Sequence, residues 1–336
     1  MATIRDVAKR AGVSVAAVSR AFNNYPDINA DTKANILRIA EELRFYPSAT
    51  ARNLVTHRSN TIGVVYPSLD GTGLRHPFIG HLLNVFKDAI GEQGYDMMLL
   101  SNRRAPFDRW GILDRIKHRD LDGVLLIGTP EEAVDELMQI DIPMVGLDYV
   151  VTGPKVGSVT SDNRRAIQDL VHVLYHHGYR KFGFLHGPLK IPVAVERLQG
   201  FYSGLQEVGI APCSEWIQNG LFTLEGGQAA MEKILSSKEW PDVVISSADV
   251  CAIGAMQIMH SRGIDIPDQI SLVGFDDIEA ASYIYPQLTT ISQDKEQMGQ
   301  LAAEVLFRLI RSKSDDLPLH YVVPTKLMVR QSTRPL

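Results

Sequence analysis

Three groups of residues in this chain have types and spacings that could do chemistry. His172, His176 and His177 fall on one predicted helix, and histidines four residues apart can share a metal ion. No acidic helix motif accompanies them, so they read as a solvated or interface face. Asp276 and Asp277 offer two adjacent carboxylates, but neighbours in sequence rarely face one substrate atom together. No G-x-S-x-G, no P-loop and no G-x-G-x-x-G follows a predicted strand, so no reaction has candidate catalytic residues. No metal and no cofactor is expected. The third group is Thr3–Asn23, TIRDVAKRAGVSVAAVSRAFN. Thr3 can cap a first helix with Asp6 as its acidic partner. Gly12 stands where a chain leaving a helix needs a left-handed residue. Ser14 can cap a second helix at once. A bend this tight between two short helices is the helix-turn-helix pattern, whose second helix enters the DNA major groove. An ordinary helical hairpin in a core is the competing reading.

Charge is distributed to match. The 336-residue chain has a net charge of −5, with 34 Lys/Arg against 39 Asp/Glu. Residues 1–58 hold nine of the basic and five of the acidic residues, a balance of +4; the remainder holds 25 against 34, or −9. A small basic head on an acidic body suits phosphate contacts made by the head alone. Length favours two or three domains, and 45% hydrophobic with 22% charged residues is ordinary for a globular chain. No signal peptide and no membrane-spanning apolar run is read, and Cys213 and Cys251 lack metal-ligand spacing. A reducing cytoplasm is the expected location.

The elements that must position these residues follow in order. A third helix is predicted over Ala30–Leu43, capped by Asn29, with Ile36, Ile39, Ala40 and Leu43 on one face. Residues 45–59, FYPSATARNLVTHRS, contain Pro47, which ends that helix, and Ser48, which can cap a short one over Ala49–Val55. That segment has too few apolar residues for a core helix. It is either a linker with a frayed turn or a hinge that becomes helical on DNA and wedges Leu54 into the minor groove. From Thr61 short β-rich runs alternate with helical segments: 62–67, 97–101, 123–128 and 143–148, then, after a helix at 164–177, 181–188, 242–247 and 271–277. Such alternation means parallel sheets flanked by helices. GVVYP with its following helix echoes GFLHGP with its own, which favours two similar lobes over one large sheet. A cleft between the lobes would collect the loops at the carboxyl ends of the strands.

Taken together, IRDVAKRAGVSVAAVSRAFN (4–23), YPSATARNL (46–54) and SLVGFDD (271–277) resemble the LacI/GalR family of bacterial transcription regulators. The resemblance spans essentially the whole chain. It implies a helix-turn-helix domain (1–45), a hinge (46–59) and a two-lobed periplasmic-binding-protein-like body (60–336) that binds effector and dimerises. The first lobe would comprise about 60–160 plus 292–322, and the second about 161–291 plus 323–336. It also implies a homodimer, or a dimer of dimers, on palindromic operator DNA. Val15, Ala16 and Arg20 would read bases. Arg20 can bond guanine O6 and N7 together, a contact worth about 1–3 kcal/mol, with a phosphate contact as the competing role. Ser14, Ser19, Asn23 and Thr3 suit phosphates or caps. Leu54 matches the family's minor-groove lever, with Arg52 in the same groove or at the helix end.

In the body the resemblance assigns an effector cleft. Arg197 in ERLQGF would grip sugar hydroxyls or a carboxylate, Asp276 would accept from ligand hydroxyls, and Phe222 would lie against a pyranose face. His76 and Phe78 after the first strand, and Asp148 after another, would complete it. One position departs: Ala248–Asp249 stands where the family often has Asn-Asp. Ala248 has no polar side chain, and Asp249 reads as a helix cap. The expected function is repression of sugar-utilisation genes under control of a small polar ligand. A sugar-binding sensor or an α/β enzyme without a DNA role is the alternative.

Overall fold

The computed structural model describes every residue except 1, 24, 47–57, 67–72, 101–110, 130–133, 135, 149 and 313–318. The chain divides into a helical head within residues 1–60 and an α/β body that begins at Thr61.

In the head, α1 (Ile4–Ala11) starts at a reciprocal capping box. The Asp6 backbone N–H donates to the Thr3 hydroxyl at 3.4 Å, and the Thr3 N–H donates to the Asp6 carboxylate at 2.8 Å. The Thr3 backbone N–H first, and then the Thr3 hydroxyl, which also donates to the carboxylate at 2.8 Å, hold the Asp6 carboxyl below its ordinary pKa. Gly12 ends α1 at φ +68°, where a side chain would be strained. The Ser14 hydroxyl then accepts from the Ala17 N–H at 3.2 Å and opens α2 (Val15–Phe22). Helix α3 (Ala30–Glu42) is capped by Asn29, whose side-chain oxygen accepts from the Asp31 N–H at 2.8 Å. Val7, Val18, Ala21, Ile36, Ile39 and Ala40 form the small buried core, with the Phe22 and Phe45 rings edge to face at its margin.

The body opens with β1 (Thr61–Val65), α4 (Pro77–Gly91), β2 (Asp96–Leu100), α5 (Ile112–His118), β3 (Gly123–Ile127), β4 (Met144–Leu147) and β5 (Val156–Ser161). Then come α6 (Asn163–His176), β6 (Phe182–His186), α7 (Pro192–Glu207), β7 (Ile217–Asn219), α8 (Leu224–Leu235), β8 (Val243–Ser246), α9 (Asp249–Ser261) and β9 (Ser271–Asp276). The chain closes with β10 (Thr289–Gln293), α10 (Lys295–Arg311), β11 (Leu319–Val323) and β12 (Thr325–Met328). Two six-stranded sheets result, ordered β11-β5-β4-β3-β1-β2 and β12-β10-β9-β8-β6-β7. Among the described residues every strand pairing is parallel except β10 with β12. Inner strands such as GVLLI in β3 are buried throughout, as a parallel sheet covered on both faces requires.

The two sheets are the two lobes, and the chain crosses between them three times: after β5, after β10 and at Pro324. Each crossing falls one or two residues later than the lobe boundaries read from resemblance. Strands β5 (VGSVTS) and β10 (TTISQ) escape the sequence reading because they are buried yet rich in serine and threonine. Their hydroxyls are internally satisfied: Ser158 accepts from the Val151 N–H at 2.8 Å and donates to its carbonyl at 3.0 Å. Of the helix expected at 131–139, residues 131–133 and 135 lie outside the described residues, and 134, 136 and 137 are helical.

Candidate nucleic-acid interface and ligand cleft

On α2, Val15, Ala16 and Arg20 are exposed, while Val18 and Ala21 of the same helix are buried. The helix therefore presents the first three and packs by the others. Arg20 makes an ion pair with Asp27 at 3.4 Å. Asn23 ends the helix by donating from its side-chain amide to the Ser19 carbonyl at 2.9 Å, which leaves Ser19 half-buried and Asn23 a C-terminal cap. Thr3 and Ser14 are both engaged as N-caps. Arg52 and Leu54 lie outside the described residues.

In the body, the carboxyl ends of the strands of both sheets meet in a pocket of about 630 Å³, counted to its open mouth. All six residues assigned to the cleft by resemblance line it: His76, Phe78, Asp148, Arg197, Phe222 and Asp276. Most of the remaining lining is aliphatic or aromatic, including Ile79, Ile127 and Val193.

Arg197 projects from α7 and is fully engaged on one side. Its Nε donates to Asn163 Oδ1 at 2.8 Å and its Nη1 to the Ser247 carbonyl at 2.7 Å. Its guanidinium carbon lies 3.7 Å from the centroid of the Phe275 ring, a cation–π contact. Asp276, the last residue of β9, faces Nη1 at 3.6 Å and accepts from Gln293 Nε2 at 2.8 Å. Burial pushes the Asp276 carboxyl up, and the Arg197 charge opposes it. Asp148, just beyond β4, has φ +63° and is pushed up to about 7 by burial, against the pull of Arg197. Among the described residues, Arg197 Nη2, Asp148 Oδ1, His76 Nδ1, Ser247 Oγ and Gln293 Oε1 are buried without a hydrogen-bond partner. Of these residues His76, Asp148 and Arg197 line the pocket, and since buried polar groups rarely stay unpaired, the three mark a place for a polar guest. Phe222 reaches the pocket from a left-handed backbone at φ +57°, and its ring covers Gly187 so closely that a Cβ there would lie 2.2 Å from Cζ.

Similarity to known proteins falls on the head and on the body. Residues 3–48 match the family described as "Bacterial regulatory proteins, lacI family", and residues 171–333 match "Periplasmic binding protein-like domain". The HTH-type transcriptional repressor PurR of Edwardsiella ictaluri is 33% identical over 99% of this chain and 97% of its own. The chain belongs to the LacI family. The ribose operon repressor of Haemophilus influenzae is 30% identical over 97% of both chains. Among solved structures, a CelR–cellobiose complex has a TM-score of 0.73 at 26% identity, over 99% of this chain and 100% of the other. A Lac repressor dimer bound to operator and the anti-inducer ONPF shares the fold with a TM-score of 0.86 at 24% identity, over 99% of both chains.

As a LacI-family member the chain is a DNA-binding transcriptional repressor and not an enzyme. Among its described residues no helix is long and apolar enough to cross a membrane. One expectation needs correction. Asp249 does not cap α9: Ala248 occupies the N-cap, and no side chain caps that end. Asp249 instead accepts from the Thr290 hydroxyl at 2.6 Å and the Ile278 N–H at 2.9 Å, joining β10 and the loop after β9. Burial raises its carboxyl well above the ordinary value. His172 pairs with Glu207 at 2.7 Å and His177 bonds the Val173 carbonyl, so each is used within this LacI-family body. Asn163, Ser247 and Gln293 were not legible as site residues. Asn163 reads as part of a polar helix start, and Gln293 as part of a loop.

Proposed function

We propose that this LacI-family repressor binds a palindromic operator as a homodimer and that a neutral sugar in the body cleft controls it. The observation that carries the sugar reading is the chemistry gathered at one pocket. Arg197 Nη2 is a free donor, Asp148 and Asp276 are acceptors, and Phe222 and Phe78 offer apolar ring surface. A sugar has hydroxyls for the first set and a C–H face for the second. Arg197 already has Asp276 beside it at 3.6 Å, so it offers no unopposed positive charge to an anionic ligand. Ala248 lines the pocket without a polar side chain, which suits a sugar contacted from other sides. A relative named for ribose and a structural neighbour holding cellobiose support the same class. Val15, Ala16 and Arg20 would read the operator, with Arg52 and Leu54 in the minor groove. Thr3, Ser14, Ser19 and Asn23 would fix the helix ends and reach phosphates. A ligand that prefers one lobe arrangement then shifts operator affinity by its differential affinity for the two.

The test uses full-length protein and an operator selected from random DNA. D-ribose, cellobiose, D-glucose 6-phosphate and adenine are each titrated by calorimetry, and operator binding is measured with and without them. A neutral sugar should bind and change operator affinity, and Asp276→Asn should abolish that change while leaving operator binding intact. Binding of the phosphate or of adenine alone would overturn the sugar reading and leave the repressor reading standing.

A further inference from the structure

Two of the charged side chains that face the cleft, Arg197 and Asp276, are each held by a buried amide, and each amide sits at a different crossing between the lobes. Asn163 opens α6, two residues after the end of β5. Its Nδ2 donates to the Ser161 carbonyl at 3.1 Å on the first-lobe side and to Glu196 Oε2 at 3.1 Å on α7 of the second lobe. Its Oδ1 accepts from Arg197 Nε at 2.8 Å. Gln293 ends β10, one residue before α10, and its Nε2 donates to Asp276 Oδ1 at 2.8 Å. Lys295, at the start of α10, adds bonds from Nζ to the carbonyls of Asp276 at 2.8 Å and Asp277 at 3.0 Å. Both amide residues are 1% exposed.

Neither amide is needed for its own element. Asp162, not Asn163, caps α6, by accepting from the Arg165 N–H. Gln293 pairs with Thr325 through the β10–β12 ladder, which needs no side chain. What the amides do is orient. Arg197 is fixed at Nε and Nη1, which leaves Nη2 as its unpartnered nitrogen toward the pocket. Asp276 is fixed through Oδ1.

We propose that Asn163 and Gln293 are positioning residues, each tying one ligand-facing side chain to one interlobe crossing, so that occupancy of Arg197 and Asp276 is felt at both crossings. The inference rests on the reading of the cleft as the ligand site. A guest that draws on Arg197 Nη2 or Asp276 pulls on side chains whose other bonds end at residues 161–163 and 293–295. Those are the segments that must bend when the lobes change angle, as hinges do at element ends.

Full-length protein labelled with ¹⁵N at arginine Nε tests the first tie without any ligand, with Arg197→Lys assigning the signal. The Arg197 Nε–H should exchange slowly in the parent and in Asn163→Asp, which keeps the acceptor oxygen. In Asn163→Ala it should exchange about tenfold faster, the scale of one lost bond to a charged group. Backbone hydrogen exchange at 161–164 and 292–295 is then followed with and without cellobiose and D-ribose. A sugar that binds should protect both crossings in the parent. Asn163→Ala should lose the response at the first crossing, and Gln293→Glu, which sets a carboxylate against Asp276, at the second. Parent-like Arg197 exchange in Asn163→Ala, or parent-like responses at both crossings in these variants, overturns the proposal. If neither sugar binds the parent, the sugar reading fails on its own. The Arg197 comparison and the unliganded exchange at the crossings, expected to rise about tenfold in both variants, still decide this one.

Discussion

Arg20 and Arg197 carry the same guanidinium group into opposite surroundings. The Arg20 side chain on α2 is 57% exposed and has one ion pair, with Asp27 at 3.4 Å. Such a surface pair is worth about 0–1 kcal/mol, so a competing partner redirects it at little cost. The Arg197 side chain is 3% exposed and is fixed by Asn163, Ser247 and the Phe275 ring, with Asp276 beside it. It can turn to nothing; it waits with one N–H pair for a guest. The head thus keeps its guanidinium free of the fold, and the cleft builds its own into the fold. Losing the first should cost recognition alone, and losing the second should cost stability as well.

The comparison breaks most visibly at Arg197. Arg197→Ala leaves Asp276 buried without its cation and should destabilise the body by about 3–5 kcal/mol, read as a lower urea midpoint at constant slope. It should also abolish sugar binding in calorimetry. Next comes pH. Asp148 holds its proton up to about 7 in the folded state, against 3.8 for the free side chain. Between those values the folded chain binds a proton that the unfolded chain has released, so this group's contribution to stability falls as pH rises through that window. Asp276 and Glu196, also pushed up mainly by burial, slope the same way. The signature of Asp148 is therefore a difference: Asp148→Asn should show a shallower loss of urea midpoint between about pH 5 and pH 8 than the parent. A third effect sharpens the contrast from the head. Arg20→Ala should weaken binding to the selected operator by about 1–3 kcal/mol per contact and relax one base position. Its melting should stay within about 0.5 kcal/mol of the parent. Melting as damaged as that of Arg197→Ala would end the distinction. The smallest effect is at the turn itself: Ser14→Ala removes the cap of α2 and should cost about 1 kcal/mol in head stability, seen as helix loss by circular dichroism.

The head was legible because its instructions are local. Thr3 with Asp6, Gly12, Ser14 and Asn29 each act within three residues, and each does in the structure what its type and position suggest. The alternation of the body was legible where strands are apolar, as in β3, and failed where they are polar, as in β5 and β10. Ser158, Thr290 and their neighbours are buried because distant backbone and side-chain atoms satisfy them, and no window of sequence contains those partners. Asp249 failed for the same reason: its side chain looks like a cap and is spent on Thr290, forty-one residues away.

By itself the sequence determined the helix ends of the head and the parallel two-lobed plan, since propensity, caps and periodicity are properties of neighbours along the chain. The tertiary structure alone decided which polar groups face the cleft and what holds them. Arg197, Asn163, Asp276 and Gln293 are brought together across both sheets by strand order and three crossings. Their chemistry depends on burial, and burial is a property of the assembled fold.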